Sequence, residues 1–227
     1  MNKFFTKKKI IKLSKKLLKL NLQFLNFGNL SIRVGNLCYI KPSGVNIYKI
    51  KYNDVSVVDI KTNKHLSGKK PSVDTPTHLE LYKKYPLIKS IVHTHSKYGT
   101  IWAQSLKPVP CYGTTHADFF LKNIPITKVL TKKQISNNYE KEIGLSIIQT
   151  VKDTDILQLP GILIANHGVY SWGKDPNSTL NNALIIEIIC EMAFNTRLIN
   201  KKVKPIKKIL NKKHFFRKNG PNSYYGQ

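Results

Sequence analysis

Ile91-Val92-His93-Thr94-His95 is the stretch on which the reading of this chain turns. It closes an apolar segment that begins at Ile88, and the pattern predicts a buried central strand over 88–95. Residues two apart in a strand share a side, so both imidazoles leave the sheet in one direction. Two imidazoles converging at a strand end are a candidate metal site. His-x-His also arises by chance, so the rest of the chain has to supply a third ligand, an acid or base, and a substrate cradle.

Apolar and helical periodicities place the other elements around that strand. Ile10, Leu13, Leu17 and Leu20 recur at helical spacing and predict a first helix over 7–25. Strands are expected from the Gly28-Asn29 corner to Arg33, over Leu37–Ile40, over Val55–Ile60 and over 124–130, with a surface turn at 63–70. Lys41-Pro42-Ser43-Gly44 is a tight polar turn, read either as an anion cradle or as a plain hairpin turn. Pro76 marks a helix entry with Asp74 or Thr75 near the N-cap, where Asp74 has a purely capping alternative. Further helices are expected over 97–105, 139–151 and 177–199; the stretch from Lys201 shows weak periodicity. Ile162-Leu163-Ile164-Ala165-Asn166-His167-Gly168 reads as another apolar strand ending in a histidine, repeating the His93 pattern. A lone histidine there would ordinarily be a satisfied core or edge residue; the repetition makes it a candidate third ligand.

Composition bounds the class. The 227 residues, 41% of them hydrophobic, suit one domain spanning 1–227, with no repeat and no linker to divide it. Cys38, Cys111 and Cys190 are scattered and odd in number, without a C-x-x-C, which fits a reducing cytoplasm. The formal charge of +26 raises nucleic acid or an anionic membrane as partners. Only Arg33, Arg197 and Arg217 among 38 basic residues are arginine, and the lysines are spread along the chain. Bidentate base and phosphate readout favours arginine, so neither nucleic acid nor membrane is expected as a partner. The basic N-terminus is broken by polar residues and makes a poor signal peptide, and no apolar run is long enough to span a bilayer.

With these residues in view, the chain resembles the L-ribulose-5-phosphate 4-epimerases of the class II aldolase and adducin-head superfamily. The likeness runs through Gly28-Asn29-Leu30-Ser31, Lys41-Pro42-Ser43-Gly44, Asp74-Thr75-Pro76-Thr77-His78 and His93-Thr94-His95-Ser96. It continues through Thr114-Thr115-His116-Ala117-Asp118, His167-Gly168 with Trp172-Gly173-Lys174, and Tyr224-Tyr225-Gly226-Gln227. Seven motifs in family order are specific where any one would be weak. The segments His78–Tyr82 and Asn219–Asn222 lean toward the ascorbate-pathway members over the arabinose ones.

The resemblance implies a single three-layer α/β domain with a mostly antiparallel central sheet flanked by helices. It implies Zn2+, or another divalent cation, held by His93, His95 and His167 with Asp74 on or close to the metal. It assigns substrate and phosphate contacts to Gly28, Asn29, Ser43, Gly44, Ser72, Val73 and Asp74, and the acid/base pair to Asp118 and Tyr225. It further implies a homotetramer with active sites between subunits, His214 and Tyr225 arriving from the neighbour. Val73 stands where relatives carry a serine, so one hydroxyl is missing near the substrate phosphate; the Val73 amide can still donate. Asn219 replaces a common histidine. The implied reaction interconverts L-ribulose 5-phosphate and D-xylulose 5-phosphate by retro-aldol cleavage and re-addition. The alternatives are a class II sugar-phosphate aldolase and, in another class, a basic nucleic-acid- or membrane-binding protein.

Overall fold

A computed structural model describes residues 3–221 and 223–225; the Gly226-Gln227 end of the tail motif and Asn222 lie outside the described residues. The elements follow in the order α1 (Lys3–Lys19), β1 (Asn29–Val34), β2 (Leu37–Ile40), β3 (Ser56–Asp59), β4 (His65–Ser67) and α2 (Thr75–Lys84). Next come β5 (Ser90–Thr94), α3 (Lys97–Gln104), α4 (Thr114–Ala117), α5 (Lys132–Ser136) and α6 (Tyr139–Val151). The β6 (Gly161–Ile164)–β7 (Gly168–Gly173) hairpin, α7 (Pro176–Ile199) and α8 (Lys208–Lys218) complete the fold.

The strands form one seven-stranded sheet in the order β4-β3-β2-β1-β5-β7-β6, antiparallel at every pairing. β5 lies inside the sheet and is wholly buried, with the Ser90 hydroxyl satisfied by the Ser31 carbonyl. Its side chains alternate between two cores. Val92 joins Leu30, Ile32, Tyr39 and Val57 beneath Ile10, Leu13 and Leu17 of α1. Ile91 faces the other way and joins Leu79, Tyr82, Ile143 and Ile147 of α2 and α6. His93 shares the face of Ile91, which points it toward the α2–α6 layer. Helices on both faces of the sheet give the three-layer domain.

Four local expectations change. Helix α1 ends at Lys19, because Asn21 turns into the left-handed region at φ 55° and breaks the backbone ladder. Residues 124–130 make only isolated bridges, at Ile124 and Ile126, since Pro125 offers no ladder donor. The 63–70 turn contains the short edge strand β4. The terminal stretch that showed weak periodicity folds as α8, which buries only Asn211 and Phe215.

Candidate active site

The site starts from register. His93 pairs across β1 with Asn29 and across β7 with Tyr170, so these three side chains lie in a row on one face. Tyr170 stacks on the His93 ring, with centroids 4.4 Å apart and planes at 17°. Behind it, His78 meets Tyr170 edge-on, and its Nδ1 lies 2.7 Å from the Ser31 hydroxyl, which also meets the Tyr82 hydroxyl at 2.7 Å. Burial drives the His78 imidazole down to about 3, so this backing is neutral.

His95 lies one residue past the end of β5, and its Nε2 comes 3.0 Å from the Nε2 of His93. His167 reaches the same point by a different route from the one expected. Strand β6 stops at Ile164, and Ala165-Asn166-His167 form a three-residue hairpin turn with Asn166 at φ 61°. The turn places His167 Nε2 3.0 Å from His93 Nε2. Gly168 permits this approach: a Cβ there would sit 2.5 Å from the Thr94 carbonyl. Gly28, at φ 78°, likewise brings its backbone against β5, where a Cβ would lie 2.6 Å from the His93 carbonyl.

The three ligand nitrogens lie within 4.8 Å of one another, and this is the metal-competent cluster among the described residues. The donor set fits a divalent transition metal. His93 Nδ1 donates to the Val169 carbonyl at 3.0 Å, which assigns its proton to Nδ1 and leaves the Nε2 lone pair facing the cluster. Burial, and then the neighbouring imidazoles, hold His93 well below its ordinary range, and the same causes bring His167 to about 4. Neutral imidazole is the form that ligates.

Asp74 stands beside this cluster, outside its set of three nitrogens. It occupies the N-cap position of α2, but its side chain makes no capping bond. Asn29 Nδ2 donates to its Oδ2 at 2.6 Å and to Ser72 Oγ at 3.1 Å. Burial raises the Asp74 carboxyl to about 6 against the opposing effect of the Asn29 hydrogen bond. The substrate-contact candidates gather here as well. Pro42 bridges Pro71, and the Ser43 amide donates to the Lys70 carbonyl, so the Ser43-Gly44 turn adjoins Ser72. Lys41 is buried within this group and its ammonium is pushed down by desolvation, in part offset by Asp74. Val73 is exposed.

A second polar group forms around Asp118 at the end of α4. Arg217 Nε and Nη2 donate to its two carboxylate oxygens at 3.1 and 3.0 Å, and His214 Nδ1 lies 3.1 Å from Oδ1. Asn219 Nδ2 donates to the Asp118 carbonyl. Burial pushes the Asp118 carboxyl up, but the hydrogen bonds from Arg217 and His214 outweigh it and hold it below the usual carboxylate range. Tyr225 packs its ring on the Arg217 guanidinium at 4.2 Å and remains half exposed. Among the described residues, no hydrogen bond of Asp118, His214 or Arg217 runs to the three histidines. Within one chain, then, His214 meets Asp118 and Tyr225 meets Arg217.

Arg217, which the sequence offers as a tail residue to assist the phosphate grip, pairs with Asp118. One residue escaped the sequence reading. Tyr139 carried no motif, yet its hydroxyl lies 3.0 Å from His167 Nδ1.

Residues 8–194 match the family model described as Class II Aldolase and Adducin N-terminal domain. The chain belongs to the class II aldolase family. Within that family it is 43% identical over 203 residues to the L-ribulose-5-phosphate 4-epimerase UlaF of Salmonella paratyphi C (strain RKS4594), covering 88% of this chain and 89% of the relative. The same figures hold for the UlaF of Salmonella choleraesuis (strain SC-B67). Among solved structures, an L-fuculose 1-phosphate aldolase superposes with a TM-score of 0.81 at 23% identity, covering 93% of this chain and 95% of that one. YgbL of Klebsiella pneumoniae, titled a putative aldolase/epimerase/decarboxylase, gives 0.76 at 20% identity, covering 94% and 99%. These two likenesses establish the class II aldolase fold. No helix of the described residues is long and apolar enough to cross a membrane.

Proposed function

We propose that this class II aldolase family member is an L-ribulose-5-phosphate 4-epimerase, interconverting L-ribulose 5-phosphate and D-xylulose 5-phosphate. The observation that carries the reading is the three-imidazole cluster beside the half-buried Asp74, in a chain 43% identical to UlaF. The stereocentre to be inverted is not next to the carbonyl, so proton abstraction at that carbon is not available. Cleaving C3–C4 and re-forming it on the other face of the aldehyde solves the problem. The bond's electron pair stays with the three-carbon fragment, and the C4 hydroxyl gives up a proton as the aldehyde forms.

A divalent metal such as Zn2+, held by His93, His95 and His167, would supply the Lewis acidity that charge developing on the sugar oxygens requires. Asp74 stands ready to approach that centre, and Asn29 orients it. Gly28-Asn29, Ser43-Gly44 and the Ser72-Val73 amides form the cradle for the phosphate, with Lys41 close by. That handle keeps the cleaved aldehyde bound while it rotates. Asp118 and Tyr225 take and return the proton of the C4 hydroxyl, one on each face.

Because Asp118, His214, Arg217 and Tyr225 form one connected group, they act as one unit. In the homotetramer we infer, each unit completes the histidine cluster of an adjacent subunit. The test is conversion of L-ribulose 5-phosphate to D-xylulose 5-phosphate with and without chelator. Chelator-sensitive xylulose 5-phosphate formation is expected. Release of glycolaldehyde phosphate without it would make the chain an aldolase instead.

A further inference from the structure

The three imidazoles are not secured equally. His93 sits within a strand and has a backbone carbonyl on its Nδ1. His167 sits in a hairpin turn, and the partner on its Nδ1 is the side chain of Tyr139, whose ring also lies nearly parallel to the imidazole at 20°.

We propose that Tyr139 is the positioning residue of the third imidazole, its hydroxyl occupying Nδ1 so that Nε2 of His167 is the nitrogen presented to a metal. The inference rests on the metal-site reading above. An imidazole that ligates through Nε2 carries its proton on Nδ1 and needs an acceptor there. A phenol oxygen is such an acceptor, and its ring fixes the imidazole plane at the same time.

Tyr139 can do this because its own position is overdetermined. It is the first residue of α6, whose N-cap Asn138 accepts from the Lys141 amide. The Thr77 hydroxyl donates to the Glu140 carbonyl one residue later. One turn on, Gly144 lets α6 lie against α2, where a Cβ would come 3.2 Å from the Thr77 backbone. The first turn of α6 is thus docked on the first turn of α2, directly after Asp74. The backbone of the turn is held separately, by the Ala165 amide on the Thr127 hydroxyl and the Asn166 amide on the Ala103 carbonyl, so what the α2–α6 contact adds is a fixed partner for the His167 ring. No metal ligand in this chain comes from α6, so the contribution is one of orientation.

The experiment is Tyr139→Phe, which keeps the stacked ring and deletes only the hydroxyl. Zinc affinity is measured by competition with a chromophoric chelator, alongside thermal unfolding of the chelator-treated protein. Loss of an outer partner of a ligating histidine costs about 10–100-fold in metal affinity, and that weakening is expected with an unchanged unfolding midpoint. Equal zinc affinity in wild type and variant overturns the inference while leaving the metal-site reading intact. A wild-type chain with no zinc affinity defeats that reading first. An unfolding midpoint that drops in step with affinity assigns Tyr139 a merely structural role and also overturns the inference. Should the variant not fold, nitrogen-15 histidine spectra of zinc-loaded wild type decide: a proton on Nδ1 of His167 supports the assignment, and ligation through Nδ1 sinks it.

Discussion

The histidine cluster and the Asp118 group are held by opposite means. The first is built from a central strand and a hairpin turn; its imidazoles are held toward the neutral form, and His93, the buried member, is fixed by backbone register and ring stacking. The second hangs on a four-residue helix and the terminal helix, and charge holds it together: one carboxylate bound by a guanidinium fork and an imidazole, with Tyr225 half exposed at its edge. A binding centre benefits from groups that cannot move or ionise. The proton-transfer role proposed for Asp118 and Tyr225 asks instead for groups that can exchange protons with substrate.

The largest expected effect falls on the rigid side. His95→Asn, or exhaustive chelation, removes the several kcal/mol of charge stabilisation a metal provides and lowers kcat by on the order of 10^3-fold or more; metal analysis of the variant must show the loss, and full retention of metal and activity would break the comparison. Asp118→Asn is expected to lower kcat by about 10^2–10^4-fold with metal content unchanged. Mixing His95→Asn with Asp118→Asn under conditions that let subunits exchange should then restore part of the activity. Hybrids that stay inactive would show that both groups serve one site within one chain. Arg217→Gln leaves both reacting groups in place but removes the fork and the surface under Tyr225, so a smaller fall of about tenfold is expected, in kcat more than KM.

The smallest effect concerns acid. The folded imidazole of His78 titrates near 3 against about 6.5 when unfolded. A depressed histidine contributes stability that is complete above about pH 6.5 and is lost as pH falls toward 3, at no more than about 1.4 kcal/mol per pH unit. Asp118, also depressed, keeps its contribution until pH falls below the ordinary carboxylate range. Between pH 6.5 and 4, unfolding midpoints of wild type should therefore fall more steeply than those of His78→Gln; parallel curves would remove His78 from the account.

The same contrast explains what was legible in the sequence. Strand β5 could be read because Ile88, Ile91 and Val92 mark a buried segment, and the period of two put His93 and His95 together without further help. His167 was assigned as a ligand candidate from an apolar run ending in histidine, yet it stands in a turn set by Asn166. It joins the cluster, but from another element than the one expected. Helix α8 was illegible because it buries only Asn211 and Phe215; its place is set by polar contacts to Asp118 and Cys111 that leave no periodicity. The model match ends at residue 194, before all of α8. Tyr139 could not be found from the chain alone, since its meaning depends on how two helices dock over the sheet, which leaves no local pattern.

The Asn29–His93 pairing has a consequence for the folding chain itself. Asn29 meets Asp74 only because β1 stands opposite β5 in one alignment; shifted by one residue, it would turn to the α1 side and leave the carboxylate without its donor. A misaligned chain could still collapse into a sheet of ordinary appearance, but without the Asn29–Asp74 pair. That one hydrogen bond is thus a readout of whether two neighbouring strands found each other correctly.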